Sequence, residues 1–166
     1  MRERIPGKAA RLQTMSEPES EERRGDLLDQ LSYLLDEIVS LRSITSRLHE
    51  AQITNTERGP SVKQCYGTII MQDRNEILPA LEKLSRGKHP QTVKEVDWNH
   101  RPMEEILTEV EAARQAVIAA AGRLKPQDWT QEVVEGMDVY QLLLRASHND
   151  ADTLREVAQK LYRSHS

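Results

Sequence analysis

The sequence predicts an all-α protein that folds as a four-helix bundle. Apolar residues recur at steps of three, four and seven in four separate segments, which is the spacing of one buried helix face. Aromatic residues make up 4% of the chain and phenylalanine is absent, a composition that suits packed helices better than sheets. No segment shows the pattern of a strand, and 166 residues suffice for one domain with its own core.

The first predicted helix covers residues 19–52. Ser16, followed three residues later by Glu19, forms a capping signature just before it. Residues 1–18 precede the helix as a leader that is expected to be flexible, so the predicted bundle spans residues 19–163. The inward line of this helix is apolar: Leu27, Leu31, Leu34, Ile38, Leu41 and Leu48.

The second predicted helix covers residues 61–85. Ser61 and Gln64 form the capping box that opens it, and Pro79 is expected to kink it. Residues 86–101 then lose the helical period and collect glycine and proline. A long crossover between the second and third helices follows from this loss.

The third and fourth predicted helices cover residues 102–123 and 137–163. Pro102 suits the first turn of the third helix, and Glu104 and Glu105 suit the positive end of its dipole. The inward line of the third helix is Met103, Leu107, Val110, Arg114, Val117, Ala121 and Leu124. That of the fourth is Val139, Leu143, Ala146, Asp150, Leu154, Val157 and Leu161.

Charge, hydropathy and cysteine content exclude several classes of protein. The net charge is −4 with the two signs interspersed, so the chain lacks the basic stripe that a nucleic-acid binder needs. No apolar run approaches the roughly 20 residues that span a bilayer, so no membrane partner is expected. Cys65 is the single cysteine, which excludes an internal disulfide and is compatible with a reducing, cytoplasmic location.

Three charged residues interrupt the inward lines of the predicted helices. Asp73 lies on the second helix, Arg114 on the third and Asp150 on the fourth. Buried carboxylates need hydrogen-bonding or charged partners, so these residues are expected to form one inner polar cluster. The alternative is that each residue lies at a solvated groove.

Several segments together resemble one known family. The run PSVKQCYGTIIMQDRNEILPALEKL at 60–84 is similar to the second helix of the DinB/YfiT-like proteins. The segments RPMEEILTEVEAAR, LKPQDW and VYQLLLRASHNDADTLREV are similar to the third helix of these DinB-like four-helix-bundle proteins, its following turn and their last helix. The resemblance covers about residues 20–163 and implies up-down-down-up topology.

Members of that family hold a divalent metal such as zinc or nickel with three histidines. The matched positions in this chain are Thr68, Asn149 and Thr153, which are poor ligands for such ions. The resemblance therefore implies a degenerate metal site, that is, a polar binding pocket without a metal or other cofactor. A shift of one residue in register would instead offer His148 and Asp152 as metal ligands.

The sequence leaves open whether the protein is an enzyme, and it assigns no catalytic residue. We favour a non-catalytic or divergent DinB-like protein that binds a small molecule or a protein partner through the bundle groove. The alternative that the resemblance implies is a thiol-dependent transferase or isomerase with an altered metal site. A homodimer with a structural or stress-response role is also left open.

Overall fold

The computed structural model describes residues 16–85 and 92–163. Within these residues the chain is mostly helical, which confirms the all-α class. Residues 1–15 of the predicted leader and residues 86–91 of the predicted crossover lie outside them. None of the helices in the two described ranges is long and apolar enough to cross a membrane.

The helices are numbered in chain order. They are α1 (Glu17–Ile44), α2 (Glu50–Thr54), α3 (Val62–Gln72), α4 (Leu78–Ser85), α5 (Met103–Gly122) and α6 (Val139–Arg163). A π-helical segment, Asp73–Ile77, joins α3 to α4. Short 3-10 turns lie at Thr45–Arg47, Trp98–His100 and Pro126–Thr130, and a hairpin is formed by β1 (Glu132–Val134) and β2 (Met137–Asp138).

The first predicted helix, 19–52, is wrong only beyond residue 44. In the structure α1 ends at Ile44, and the separate helix α2 begins only at Glu50. The hydroxyl of Thr45 donates a hydrogen bond to the carbonyl of Leu41 at 2.7 Å. Hydroxyl groups of this kind compete with the backbone for helical carbonyls, so the serine- and threonine-rich stretch that follows α1 favours an end to the helix.

The second predicted helix contains a wider turn that keeps one line of residues buried. Ile69, Asp73, Ile77 and Leu81 follow each other at steps of four and are all buried. A step of four residues in an α-helix rotates about 40° beyond a full turn, so three steps would carry the line about 120° around the helix. The backbone N–H of Leu78 instead bonds to the Asp73 carbonyl five residues back, which widens the turn and reduces this drift.

The π segment lies directly before Pro79, where the sequence predicted a kink. Pro79 has no N–H, and in a regular helix its ring meets the carbonyl four residues earlier, that of Asn75. Because Asn75 lies within the π segment, the strain is relieved where the helix is already wider. The proline and the four-residue spacing thus favour the same local distortion.

The β-hairpin between α5 and α6 was not predicted from the sequence. Glu132 pairs with Asp138, and Val134 pairs with Met137. Gly136 has φ of +79°, and its N–H donates to the Glu132 carboxylate at 2.7 Å. Two strands of three and two residues are too short to show a period, which is why the sequence pattern missed them.

The buried side chains form two clusters, one at each end of the molecule. Helix α1 packs against α5 and α6, and α3 packs against the same two helices. The first core cluster includes Leu27, Leu31, Ile77, Leu81, Val117, Leu124, Trp129, Val139, Leu143 and Ala146. The second core cluster includes Leu34, Ile38, Leu41, Val62, Cys65, Ile69, Trp98, Leu107, Val110, Val157 and Leu161.

A buried lysine attaches the end of the crossover to α2 and α3. Lys63, in the first turn of α3, is 2% exposed. Its ammonium donates to a Glu50 carboxylate oxygen at 2.6 Å and to the carbonyls of Asn99 at 3.3 Å and Arg101 at 2.6 Å. Three acceptors satisfy the three donors of an ammonium group, which makes the buried charge tolerable.

The described part of the crossover is held at two further points. The side-chain amide of Asn75 both donates to and accepts from the backbone of Val93, at 2.8 and 2.7 Å. Trp98 packs against Gly67 so closely that a Cβ atom at position 67 would lie 2.5 Å from the indole ring. The crossover can therefore reach this position only because residue 67 has no side chain.

Replacing Leu143 with alanine is expected to lower the free energy of unfolding by about 2–5 kcal/mol, because a buried cavity remains. Leu143 is fully buried in the first core cluster. Urea denaturation measures the change, with Val39→Ala on the exposed face of α1 as the control. A loss below about 1 kcal/mol would contradict the inward position of Leu143.

Candidate functional site

The structure brings Asp73, Arg114 and Asp150 together as an inner polar cluster. Arg114 Nε donates to Asp73 Oδ2 at 2.8 Å, and one terminal nitrogen donates to Asp73 Oδ1 at 3.3 Å. The two terminal nitrogens donate to Asp150 at 2.5 and 3.0 Å. A fifth bond, of 3.1 Å, reaches the carbonyl of Leu31. All five N–H donors of the guanidinium group are thus satisfied.

Three helical elements carry the charged side chains of this cluster, and α1 adds the carbonyl of Leu31. Arg114 lies on α5 between Val110 of the second core cluster and Val117 of the first. Asp73 opens the π segment, and Asp150 lies on α6, each likewise between the two clusters. The polar groups therefore occupy the plane at which the two apolar clusters meet.

Burial and charge act on the cluster in opposite directions. Burial raises the pKa of Asp73, and the Arg114 guanidinium lowers it by a smaller amount. The charge of Asp150 raises the same pKa further, so the pKa of Asp73 lies above its ordinary value. Burial lowers the pKa of Arg114, but its hydrogen bonds to Asp150 and Asp73 and their charges raise it above the ordinary value. Arg114 therefore stays charged, and the two carboxylates share a single cation.

The inner polar cluster is built to hold helices together rather than to bind a ligand. Arg114 and Asp73 are each 1% exposed, so no solute reaches them without opening the core. Because every guanidinium donor already has a partner, none remains to recognise a substrate. A ligand could therefore bind only at the surface of the protein.

The three positions that match the family metal ligands take no part in the hydrogen bonds of this cluster. Thr68 is exposed, and its hydroxyl donates to the carbonyl of Gln64 at 3.0 Å. Asn149 and Thr153 are half-buried on α6. Within the described ranges no hydrogen bond links these three side chains to one another.

Asn149 does line a small cleft beside the π segment. This helix cleft has a volume of about 230 Å³ and is lined by Gln72, Glu76, Ile77, Arg145, Ala146 and Asn149. Arg145 and Glu76 form an ion pair at its edge. Gln72 lies one turn after Thr68, so the cleft lies beside the face that carries the matched positions.

The alternative metal ligands are both on the surface of α6. His148 and Asp152 are exposed, and Asp152 faces Arg155 at 3.7 Å. In the part of the chain that the structure describes, no group of three histidine, cysteine or acidic side chains is arranged to hold a metal ion.

A larger pocket, which the sequence did not reveal, lies between α2, the turn that follows it and the second half of α6. This end pocket has a volume of about 540 Å³. Its charged residues are Glu57, Arg58, Asp152, Arg155, Glu156 and Lys160, and side-chain amides complete the lining. In the sequence, the α6 residues of this pocket follow each other at steps of three and four. The same spacing is typical of a solvated helix face, so it did not predict a pocket.

Cys65 lies close to the end pocket, and its thiol is stabilised in the protonated form. Burial raises the pKa of its thiol to about 11, with a further rise from Glu156 and an opposing effect of Lys160. At neutral pH the thiolate fraction is therefore on the order of one in ten thousand. The side chain packs within the second core cluster, where it acts as a small apolar residue.

No protein-family model matches the chain, and no curated protein or solved structure shows a significant match to it. The resemblance to the DinB/YfiT-like proteins therefore rests on the sequence motifs alone.

Replacing Arg114 with methionine is expected to lower the free energy of unfolding by about 3–5 kcal/mol, because two buried carboxylates lose their counter-charge. The matched control is Arg123→Met, since Arg123 forms an ion pair with Glu82 while its side chain is 59% exposed. This surface change should cost less than about 1 kcal/mol. Equal urea midpoints for the two variants would contradict the importance of the inner polar cluster.

Proposed function

We propose that the protein is a divergent, non-catalytic DinB-like protein that binds a small polar molecule through the groove between α3 and α6. The fold that goes with this proposal is a four-helix bundle with up-down-down-up topology and a long crossover before α5. Its long elements are α1, the rod of α3 and α4, α5 and α6.

The make-up of the two core clusters supports that topology. The first core cluster combines residues from the earlier parts of α1 and α6 with residues from α4 and from the end of α5. The second core cluster combines residues from the later parts of α1 and α6 with residues from α3 and from the beginning of α5. Such a division is expected when α1 and α6 run in one direction and the other two run in the opposite direction.

The observation that carries the binding proposal is the position of Gln72 and Asn149 in one cleft. Gln72 is one helical turn after Thr68, and Asn149 is one turn before Thr153, so the cleft adjoins the place where the family holds its metal. Its lining combines two amides with the Arg145–Glu76 ion pair. Amides offer both donors and acceptors, which suits recognition of a polar molecule by hydrogen bonds.

The second candidate is a thiol-dependent transferase or isomerase with an altered metal site. It would need a divalent metal and a thiol cosubstrate supplied from outside, since the pKa of Cys65 keeps this thiol protonated. The pair His148 and Asp152 is the only metal-binding alternative that the resemblance offers. In either case we place the protein in the cytoplasm and leave a protein partner and a homodimer as further occupants of the groove.

Filling the helix cleft should abolish ligand binding without unfolding the protein. The probes are a panel of sugars, nucleosides and primary amides at millimolar concentration, followed by thermal denaturation. At least one should raise the melting temperature of the wild type, and Asn149→Leu should remove this rise because it fills the cleft and deletes the amide. Ala151→Leu, on the exposed face of the same helix, is the control. A rise that survives in Asn149→Leu would place binding elsewhere.

Restoring the family histidines tests the alignment itself. Protein purified without a histidine tag should carry well under one equivalent of zinc, and a chelator should leave its melting temperature unchanged. The variant with Thr68→His, Asn149→His and Thr153→His should bind about one equivalent, because three imidazoles suffice for a zinc site with one open position. Failure of that variant to bind zinc would contradict the alignment.

The same metal analysis separates the two candidate functions. If the wild type carries stoichiometric zinc and His148→Ala carries none, the alignment of the last helix to the family motif must shift by one residue. Zinc together with turnover of a thiol substrate would establish the enzyme in place of the binder.

A further inference from the structure

The end pocket carries charged side chains that have few partners within the protein. Arg58 and Glu156 form no side-chain hydrogen bond or ion pair within the described residues. Among the residues that the structure describes, Asp152 has only the 3.7 Å contact with Arg155, which is exposed, and Lys160 reaches only the carbonyl of Arg58 at 3.5 Å. The pocket therefore contains strong donors and acceptors that are free for a ligand.

The walls of the pocket are fixed by contacts outside it. Helix α2 is anchored by the buried side chain of Ile53 and by the ion pair between Glu50 and the buried Lys63. In the following turn, Gly59 has φ of +103°, and a Cβ atom there would lie 3.2 Å from Glu156 Oε1. The turn thus lies directly against the α6 residues that form the opposite wall. These contacts fix the backbone of the wall, so the shape of the pocket is set before a ligand binds.

The charges of the pocket indicate the chemical class of the ligand. Three carboxylates face three cations, so the formal charge of the lining is zero. An anion or a cation would meet as many repelling groups as attracting ones, whereas a molecule with separated positive and negative ends can match both. A volume of about 540 Å³ lies within the range of small-molecule sites.

From this geometry we infer that the end pocket binds a zwitterionic ligand of the amino-acid or dipeptide class. Asp152 and Glu156 lie one turn apart on α6, so both carboxylates can accept hydrogen bonds from one ammonium group. Arg58, on the turn, presents two parallel donors to the ligand carboxylate. The end pocket shares no lining residue with the helix cleft, so this site is independent of binding in that cleft.

Binding is tested with the full-length protein and with free amino acids and glycyl dipeptides as probes. Titration calorimetry measures affinity, and amide chemical shifts locate the site. We expect saturable binding in the millimolar range or tighter, with shifts confined to residues 52–60 and 152–160. N-acetylated or C-amidated forms of the same probe should bind at least tenfold more weakly, because each lacks one charge. Equal binding of these blocked forms, or no saturable binding of any probe at millimolar concentration, would overturn the inference.

Two variants assign the ends of the ligand. Glu156→Gln and Arg58→Gln should each weaken binding of the free probe at least tenfold. Glu156→Gln should make little further difference to the N-acetylated probe, and Arg58→Gln little further difference to the amidated probe, because the paired charge is already absent. The controls Glu135→Gln and Arg123→Gln change exposed charges outside the pocket.

Unchanged affinity in both pocket variants would place the binding elsewhere and overturn the assignment. Both altered side chains lie at the surface or at its edge, so circular dichroism of the variants should match the wild type. Asn149→Leu, which fills the helix cleft, should leave binding of these zwitterionic probes unchanged. The two sites can therefore fail or succeed separately.

Discussion

The guanidinium group of Arg114 joins four parts of the chain that are far apart in sequence. Its five bonds reach the backbone of α1, the start of the π segment and a carboxylate on α6, and its own backbone belongs to α5. A buried ion cluster is a weak source of stability, because desolvation offsets much of the attraction between the charges. Its larger effect here is geometric: a shift of any one helix along its axis would leave a buried donor or acceptor unpaired. Apolar side chains on either side could slide past each other at a smaller cost.

The sequence contained enough information to locate the inner polar cluster, because charged residues at inward positions of an amphipathic helix need one another. Lys63 could not be found in the same way. It lies in the first turn of α3, where a lysine is ordinarily exposed, and two of its partners are backbone carbonyls of the crossover. Every residue has a carbonyl group, so the sequence does not indicate which carbonyls will accept a hydrogen bond from a lysine. The end of α1 at Ile44 was missed for a related reason, since the apolar period continues beyond it to Leu48.

The two surface sites depend on one stripe of α6. Arg145, Asn149, Asp152 and Glu156 follow at steps of four, three and four, which places them on one face of the helix. The first two line the helix cleft and the last two line the end pocket. The partners of this stripe come from α3 and from the turn after α2, about 70 to 100 residues earlier in the chain, so a single sequence shows one wall of each site without its opposite wall.

The π segment also affects how this chain is to be compared with others. A turn closed by a bond from residue i to residue i+5 contains one residue more than an α-helical turn. In a regular α-helix without such a turn, the residues after position 77 would point in a direction about 100° away from their direction in this protein. This angle is the rotation of one residue. Thr68 lies before the segment, whereas Leu78 and Pro79 of the second-helix motif lie after it. An alignment to a regular α-helix therefore needs a one-residue gap within 73–77 to keep both halves of the motif in phase.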